Sequence, residues 1–512
     1  MDCSEDSANM AGISDLPEEV QEHILSMLSP YRDLRSCMNV CKLWHELTKG
    51  IIVQKYQSFN KSLETLDVEW MPLVPEAGPT ISDRHSHSSC YFDKSMYVFG
   101  GCTSTSTTFN DLWRLDLATR QWIRPLAIGT YPSPKACASM VVYRNSLVLF
   151  GGWSHPTPYP LHQAARFFSE LHVYTPSSNR WNHVFTRGCP PPTAGHSASI
   201  VGDTMIVFGG SHGHGASSGD LWSLDLKEML WSKHEIPGHR KPRPRYGQSQ
   251  VVLDDNNILI LGGCGGPNMQ YNDVWLLSMN TSPWQWKEIQ AHEEENRPPK
   301  LWCHPACKVG NKLVLVSRLK KQPVTQAVLS QQTNSDIRTR TSKLWIPPTE
   351  NKDNPTQNVE KHGVGGVGVP GSSSTRSSAI RASVQGPSAQ GSSVQGPSAQ
   401  GGAPAPGASI LTIPRILKKT GKPVKHPMHL YVLDISTVLT EGCVTWQPIR
   451  EDVDSDAPEE TIFYSIVEGR GELIVFGGIQ TDLNTMSNRG YSSEPQIVTN
   501  HVYFIGSKKF MI

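Results

Sequence analysis

The chain has 512 residues, enough for several domains, with 47 Lys and Arg against 46 Asp and Glu and a formal net charge of +1. That balance excludes a surface that grips nucleic acid or an anionic membrane as a whole. Only 18% of residues are charged, while 42 Gly and 38 Pro point to a chain rich in turns.

The N-terminal segment MDCSEDSANMAGISDLPEEV is acidic and has no apolar core, so a secretory signal is not expected. No apolar run approaches the roughly 18 residues that span a bilayer, and no membrane partner is expected. Eleven cysteines without a C-x-x-C pair read as reduced thiols. The nearest approach to a metal pattern, Cys303-His304-Pro-Ala-Cys307, lacks a second ligand pair.

After a flexible tail over 1–12, residues 13–50 carry two helical stripes. Ser14 or Asp15 can cap a helix, with Pro17 in its first turn and Glu18 and Glu19 at its positive end. Val20, Ile24 and Leu28, with Leu25 beside them, form one apolar stripe that Ser29-Pro30 stops. Leu34, Cys37, Met38, Cys41, Trp44 and Leu47 form a second, ending at Gly50, with a helical linker over 51–66. Helices this short cannot bury a core of their own, so apolar surface is left for a partner. The order L-P-x-E-V, I-L-x-x-L, V-C-K-x-W-x-x-L resembles the F-box. That resemblance implies docking of a Skp-type adaptor, and through it a cullin–RING ubiquitin ligase. It assigns the docking ridge to Leu16, Pro17, Ile24, Leu25, Leu28, Val40, Cys41 and Trp44. For Leu25 and Val40, packing inside the small domain accounts for an apolar residue equally well.

From residue 67 the chain repeats. Double glycines close apolar runs at Gly100-Gly101, Gly151-Gly152, Gly209-Gly210 and Gly262-Gly263, spaced 51, 58 and 53 residues apart, and again at Gly477-Gly478. Acid-then-aromatic strands follow, as in Asp111-Leu-Trp113, Asp220-Leu-Trp222 and Asp273-Val-Trp275. A further strand is marked by Trp122, Trp181, Trp231 or Trp286. Each unit is thus four short strands that cannot bury both faces alone, so copies must stack around an axis. Paired glycines suit strand ends that meet neighbouring backbone with no room for a Cβ. The pattern resembles the kelch-repeat β-propeller family. In the fifth unit Ser317-Arg318 replace the Gly pair, and the unit resumes at Leu430. Removing 319–427 restores a 51-residue interval between Ser317 and Gly477. Val68–Leu73 matches Gln121–Leu126 and supplies the strand that the last unit lacks. The expected fold is mainly β: a six-bladed kelch propeller over 67–318 and 428–508, closed by an N-terminal strand. It follows a small all-α F-box and is interrupted in blade five by a long disordered insert.

The insert, 319–427, contains 38 Gly, Pro or Ser residues and 14 Lys or Arg against 4 Asp or Glu, and repeats SVQGPSAQG. Its RILKKTGKPVK segment is a candidate nuclear address, so cytoplasm and nucleus are the expected compartments. The rest of the chain is correspondingly acidic.

With strands ordered a to d in each blade, the long, variable b–c and Pro-rich d–a loops share one face, where binding residues concentrate. The expected substrate face carries Arg84, Trp153, His155, Tyr159, Arg166, His212, His214, Arg243, Arg245 and Trp302. Copper-radical chemistry on a kelch scaffold needs clustered His and Tyr; here His212-Gly-His214 stands alone. There is no Walker motif and no G-x-S-x-G elbow. No cofactor, metal or catalytic residue is expected. The F-box/kelch combination implies a non-catalytic substrate receptor of a Skp–cullin–F-box ligase, with a protein substrate on the loop face. A kelch interaction scaffold outside any ligase is the alternative.

Overall fold

A computed structural model describes residues 12–74, 78–155, 165–213, 216–266, 269–299, 301–319, 427–450, 456–480 and 497–508. Residues 1–11 of the expected N-terminal tail and all but the two end residues of the expected insert lie outside these segments.

A 3₁₀ turn at Ile13–Asp15 is closed by the Gly12 amide donating to Asp15 Oδ2 at 2.7 Å. Helix α1 (Glu18–Ser26) then starts behind Pro17, with Glu18 and Glu19 in its first turn. The residue at the cap is therefore Pro17, not Ser14 or Asp15, and it offers no side-chain acceptor. Two further helices follow, α2 (Asp33–Cys37) and α3 (Lys42–Thr65), separated by a turn. The Cys41 thiol accepts from the Trp44 amide (3.5 Å) at the start of α3. Leu25, Leu34, Cys37 and Ile51 form the small core of this helical domain.

Gly50 does not end α3. The helix runs fifteen residues further because its second half has its own burial site. Phe59 and Leu63 sink into a core with Trp70, Val316, Leu473 and Ile505. The helix stops at Leu66, whose φ of 52° is left-handed. The expected border at residue 50 thus crosses an unbroken helix shared by the helical domain and the sheets.

The sheets follow one plan. Ser88–Phe92, Ser95–Phe99, Leu112–Asp116 and Gln121–Ile123 pair antiparallel in sequence order. The strands of 139–184, 197–234 and 249–292 do the same, and Ile128–Gly129 adds a short parallel edge to the second sheet. Lys312–Arg318 pairs directly with Met428–Asp434, Lys312 opposite Asp434 and Arg318 opposite Met428. The strands on either side of 320–426 are therefore neighbours in one sheet. Val68–Pro72 joins the C-terminal strand Val502–Ser507, with Val68 opposite Ser507, so the first and last described strands share a sheet.

Aromatic pairs tie three of the sheets to the ones before them. Trp181 packs on Phe99 at 5.4 Å between ring centroids, Trp231 on Phe150 at 4.9 Å and Trp286 on Phe208 at 5.2 Å. Trp122 of the first sheet packs on Phe476 of the last at 5.0 Å. At the inner ends of the sheets, backbone hydrogen bonds form a closed circuit. Cys137 N–H donates to Ser86 O, Gly195 to Cys137, Gly247 to Gly195, Cys303 to Gly247 and Phe463 to Cys303. Ser86 donates to Phe463 and returns to the start, all within 2.8–3.3 Å. Every member has positive φ, from 52° at Cys137 to 66° at Gly195. Four non-glycine residues accept that conformation, at a cost of roughly 1–2 kcal/mol each, because the circuit satisfies backbone groups that would otherwise be orphaned.

The paired glycines behave as expected. A Cβ on Gly209 (φ +69°) would lie 2.5 Å from the Arg245 carbonyl oxygen of the next sheet. Among the described residues no helix is long and apolar enough to cross a membrane.

Candidate functional site

Two surfaces emerge, one on the helices and one on the loops. On the helical domain, buried Gln21 fixes the geometry. Its amide donates to the Leu16 carbonyl at 2.8 Å, and its Oε1 accepts from Trp44 Nε1 at 2.8 Å. Gln21 thereby ties the turn before α1 to the first turn of α3. Leu16, Pro17 and Cys41 are exposed, and Val40, in the turn before α3, is 62% exposed. Ile24, Leu28 and Trp44 are half-buried beside them. Leu25 is the exception: it is buried in the helical core and cannot contribute contact area while the domain is folded. Val20, outside the expected ridge, is 41% exposed and extends it. Both Val20 and Gln21 were visible in principle, one from its apolar spacing and the other as the polar residue inside that stripe.

On the sheet loops, three expected contact residues turn inward. Arg84 is fully buried, gripping Asp111 through both terminal nitrogens (2.7 and 3.1 Å) and donating to the Gly100 carbonyl. Arg245 repeats the arrangement with Asp273 (2.6 and 2.8 Å) and the Gly262 carbonyl. The same carboxylates accept the indole N–H of Trp113 and Trp275, each at 2.7 Å. In these two sheets the Asp of the Asp-x-Trp motif bridges a buried guanidinium and an indole, whereas Asp220 of the third pairs with Lys233 at 3.0 Å. Burial alone would raise the Asp111 and Asp273 pKa values, but the arginine hydrogen bonds and charges bring both below the ordinary value. In the second sheet Lys135 and Glu170 (3.0 Å) take these places. The pairs Arg/Asp, Lys/Glu and Arg/Asp in the first, second and fourth sheets were the signal in the sequence that marked these cations as structural; the third sheet has Thr193 and Asp220 in these places. Trp302 is also buried, edge-on to Phe463 at 5.5 Å.

The other expected residues stay at the surface. Arg166 is exposed, its guanidinium 5.2 Å from the centre of the Phe168 ring. Arg243 is exposed, 5.9 Å from that of Tyr271. Trp153, His155 and His212 are half-buried, and His212 Nδ1 lies 2.8 Å from the Pro192 carbonyl. Tyr159 and His214 lie outside the described residues. A Cβ on Gly213 would meet the Phe167 ring, and one on Gly219 would touch Pro244, so these loops abut. Arg166, His212 and Arg243, with exposed Arg240 and Lys241 just before the last, therefore stand on loops that touch one another.

The inner end of the sheets holds thiols and imidazoles. Burial pushes the Cys102 and Cys303 thiols up and the His85 pKa down to about 4. Such groups are neutral near pH 7, which makes the thiols poor nucleophiles. Among the described residues no group of three or more His, Cys, Asp or Glu is arranged to hold a metal ion. The geometry offers docking surfaces.

Residues 13–53 match the family described as F-box-like, and residues 84–284 match that described as FBX42, beta-propeller domain. The chain is 32% identical to the Arabidopsis thaliana protein "Acyl-CoA-binding domain-containing protein 4" over 209 residues, 40% of this chain and 30% of that protein. It is 28% identical to "Putative adagio-like protein 2" of Oryza sativa subsp. japonica over 313 residues, 61% of this chain and 42% of that one. It is 26% identical to human "Kelch domain-containing protein 3" over 254 residues, 47% and 62% respectively. Each match spans less than two thirds of the relative's length. The chain carries an F-box-like domain followed by a β-propeller domain, an arrangement typical of non-catalytic adaptor proteins.

Proposed function

We propose that this F-box/kelch protein, similar to FBX42, is the substrate-recognition subunit of a Skp–cullin–F-box ubiquitin ligase. Its exposed helical ridge docks the Skp-type adaptor, and its loop face holds the protein to be modified. The carrying observation is the ridge itself. Leu16, Pro17, Val20, Val40 and Cys41 are exposed on a domain whose own core is already filled by Leu25, Leu34, Cys37 and Ile51.

A receptor of this kind performs no bond chemistry. It raises the local concentration of substrate lysines near a charged conjugating enzyme held elsewhere in the assembly. That role benefits from fixed geometry, and α3 supplies it by belonging to both domains. We read the sheets as six blades with residues 319–427 inserted in the fifth. The closed backbone circuit of six residues, each just before the first strand of a four-strand set, and the direct pairing of Lys312–Arg318 with Met428–Asp434 support that reading. On the loop face, Arg166, His212 and Arg243, with Trp153 and His155 beside them, are the proposed contacts. Arg84, Arg245 and Trp302 support them from below.

The test is a cellular pull-down of the full chain against its Leu16→Ala/Pro17→Ala variant. The wild type should bring down the Skp adaptor and cullin, and the variant should lose both. Equal recovery by the two proteins, or recovery by neither, would instead favour a scaffold outside the ligase.

A further inference from the structure

Where the helical domain meets the last sheet, the structure leaves a cavity of about 310 Å³. Three cations line it: Lys55 from α3, Arg120 from the turn after Leu112–Asp116, and Arg470 from the turn before Glu472–Phe476. The one carboxylate in the lining, Glu472, is already engaged. It accepts the Tyr31 phenol at 2.6 Å and stands 3.9 Å from Arg120 Nη2, too far for a hydrogen bond. Nearby Asp116 is turned to the amides of Ala118 and Thr119.

The cations differ in how they are held. Arg470 donates through Nη1 to the Pro30 carbonyl at 2.8 Å. Arg120 stands over the Phe504 ring, 4.3 Å from its centre, and reaches Met71 Sδ at 3.6 Å, and its side chain is 31% exposed. Its guanidinium, in the lining of the cavity, is a planar fork that matches two oxygens of a phosphate. Lys55 is largely buried, and burial lowers its pKa against the opposing pull of Glu472. Three cations against one carboxylate leave positive charge in excess in a partly desolvated space, where a bound anion would be stabilised far more than in water. Leu73 and Leu117 add an apolar wall. The volume falls at the lower end of small-molecule sites.

We propose that this cavity is a binding site for a small phosphate-bearing molecule, with Arg120, Lys55 and Arg470 around the phosphate. The site bridges the helical domain and the sheets, so its occupant would contact both.

Isothermal titration of the full chain with pyrophosphate and with phenyl phosphate tests this, with phenol as the apolar part alone. At least one phosphate should bind saturably at one site, and phenol should not. Phenyl phosphate binding more tightly would assign the Leu73–Leu117 wall to an organic ester; pyrophosphate binding more tightly would assign the site to a free polyphosphate. Arg120→Gln, which removes a part-exposed side chain, should weaken binding at least about tenfold, and Lys55→Met should act in the same direction. Arg187→Gln, an exposed arginine on another sheet, should leave affinity within about twofold. The proposal is overturned if neither phosphate binds saturably, if phenol binds as well as the phosphates, or if Arg187→Gln weakens binding as much as Arg120→Gln. It also fails if Arg120→Gln and Lys55→Met both bind like the wild type.

Discussion

The phenol of Tyr31 donates to the carboxylate of Glu472 at 2.6 Å, a buried bond between residues 441 positions apart. The Arg470 amide donates back to the same phenol oxygen at 3.0 Å. Tyr31 leaves the helical domain to pack among Met96, Ile474 and Phe504 of the sheets. Together with Phe59 and Leu63 of α3, it makes the two domains one mechanical unit.

Tyr31→Phe keeps the ring and deletes the donor, leaving Glu472 buried with a weaker set of partners. Burial already raises the Glu472 pKa, and the Tyr31 bond is the main opposing effect. The expected loss is about 1–3 kcal/mol by urea denaturation at pH 7. A double-mutant cycle with Glu472→Gln should return a coupling of about 1–2 kcal/mol. A coupling near zero would mean that the bond contributes nothing to the junction.

Arg84 and Arg166 should separate structure from recognition. Arg84→Met strands the Asp111 carboxylate and should cost about 3–5 kcal/mol of unfolding free energy. Arg166→Ala, exposed on the loop face, should change stability by less than about 0.5 kcal/mol. Denaturant midpoints of the two variants compare them directly, and a stable Arg84→Met protein would refute the structural role.

His196 makes the propeller acid-sensitive. Burial lowers its pKa to about 3, and His212 acts in the same direction. Folded His196 stays neutral while the unfolded chain takes a proton near pH 6.5. Its contribution is therefore full above about 6.5 and is lost as pH falls toward about 3. Gln248 occupies the matching position in the next sheet, donating to Ser197 at 3.0 Å where His196 meets Ser139 at 2.8 Å. His196→Gln should therefore fold, and between pH 7 and pH 5 it should gain about 2 kcal/mol relative to wild type. Parallel stability curves for the two proteins would contradict this.

Two glycines should respond oppositely to alanine. Gly209→Ala forces a Cβ to 2.5 Å from the Arg245 carbonyl oxygen at φ +69°, and should lower stability by more than about 2 kcal/mol. Gly50→Ala, in the interior of α3 with no atom within 4 Å of the new Cβ, should raise it by roughly 0.5–1 kcal/mol. Thermal melts of both variants check the pair.

The repeat was legible because its signals are local. Paired glycines, Asp-x-Trp strands and the lone tryptophans each recur at a fixed place, and each proves to contact the adjoining sheet or brace its own. The N-terminal strand was legible too, since Trp70 matches Trp122 in its surroundings. Side-chain direction was not. Arg84 and Arg245 follow Pro-rich or polar loops, as surface arginines do, and only their carboxylate partners 27 and 28 residues later reveal that they point inward. The continuation of α3 past Gly50 was hidden for a similar reason. What sustains it is burial of Phe59 and Leu63 against strands more than 240 residues away, a tertiary effect that overrides the weak local stop.

The central claim is that the helical ridge docks a Skp-type adaptor. It is tested most directly by titrating purified adaptor into the purified full chain and its Val40→Asp variant. Val40 is exposed, so the variant should fold and melt like the wild type. The wild type should form a one-to-one complex, and a carboxylate forced into that apolar contact should weaken it at least about a hundredfold. No complex with the wild type, or equal affinity for Val40→Asp, would contradict the account.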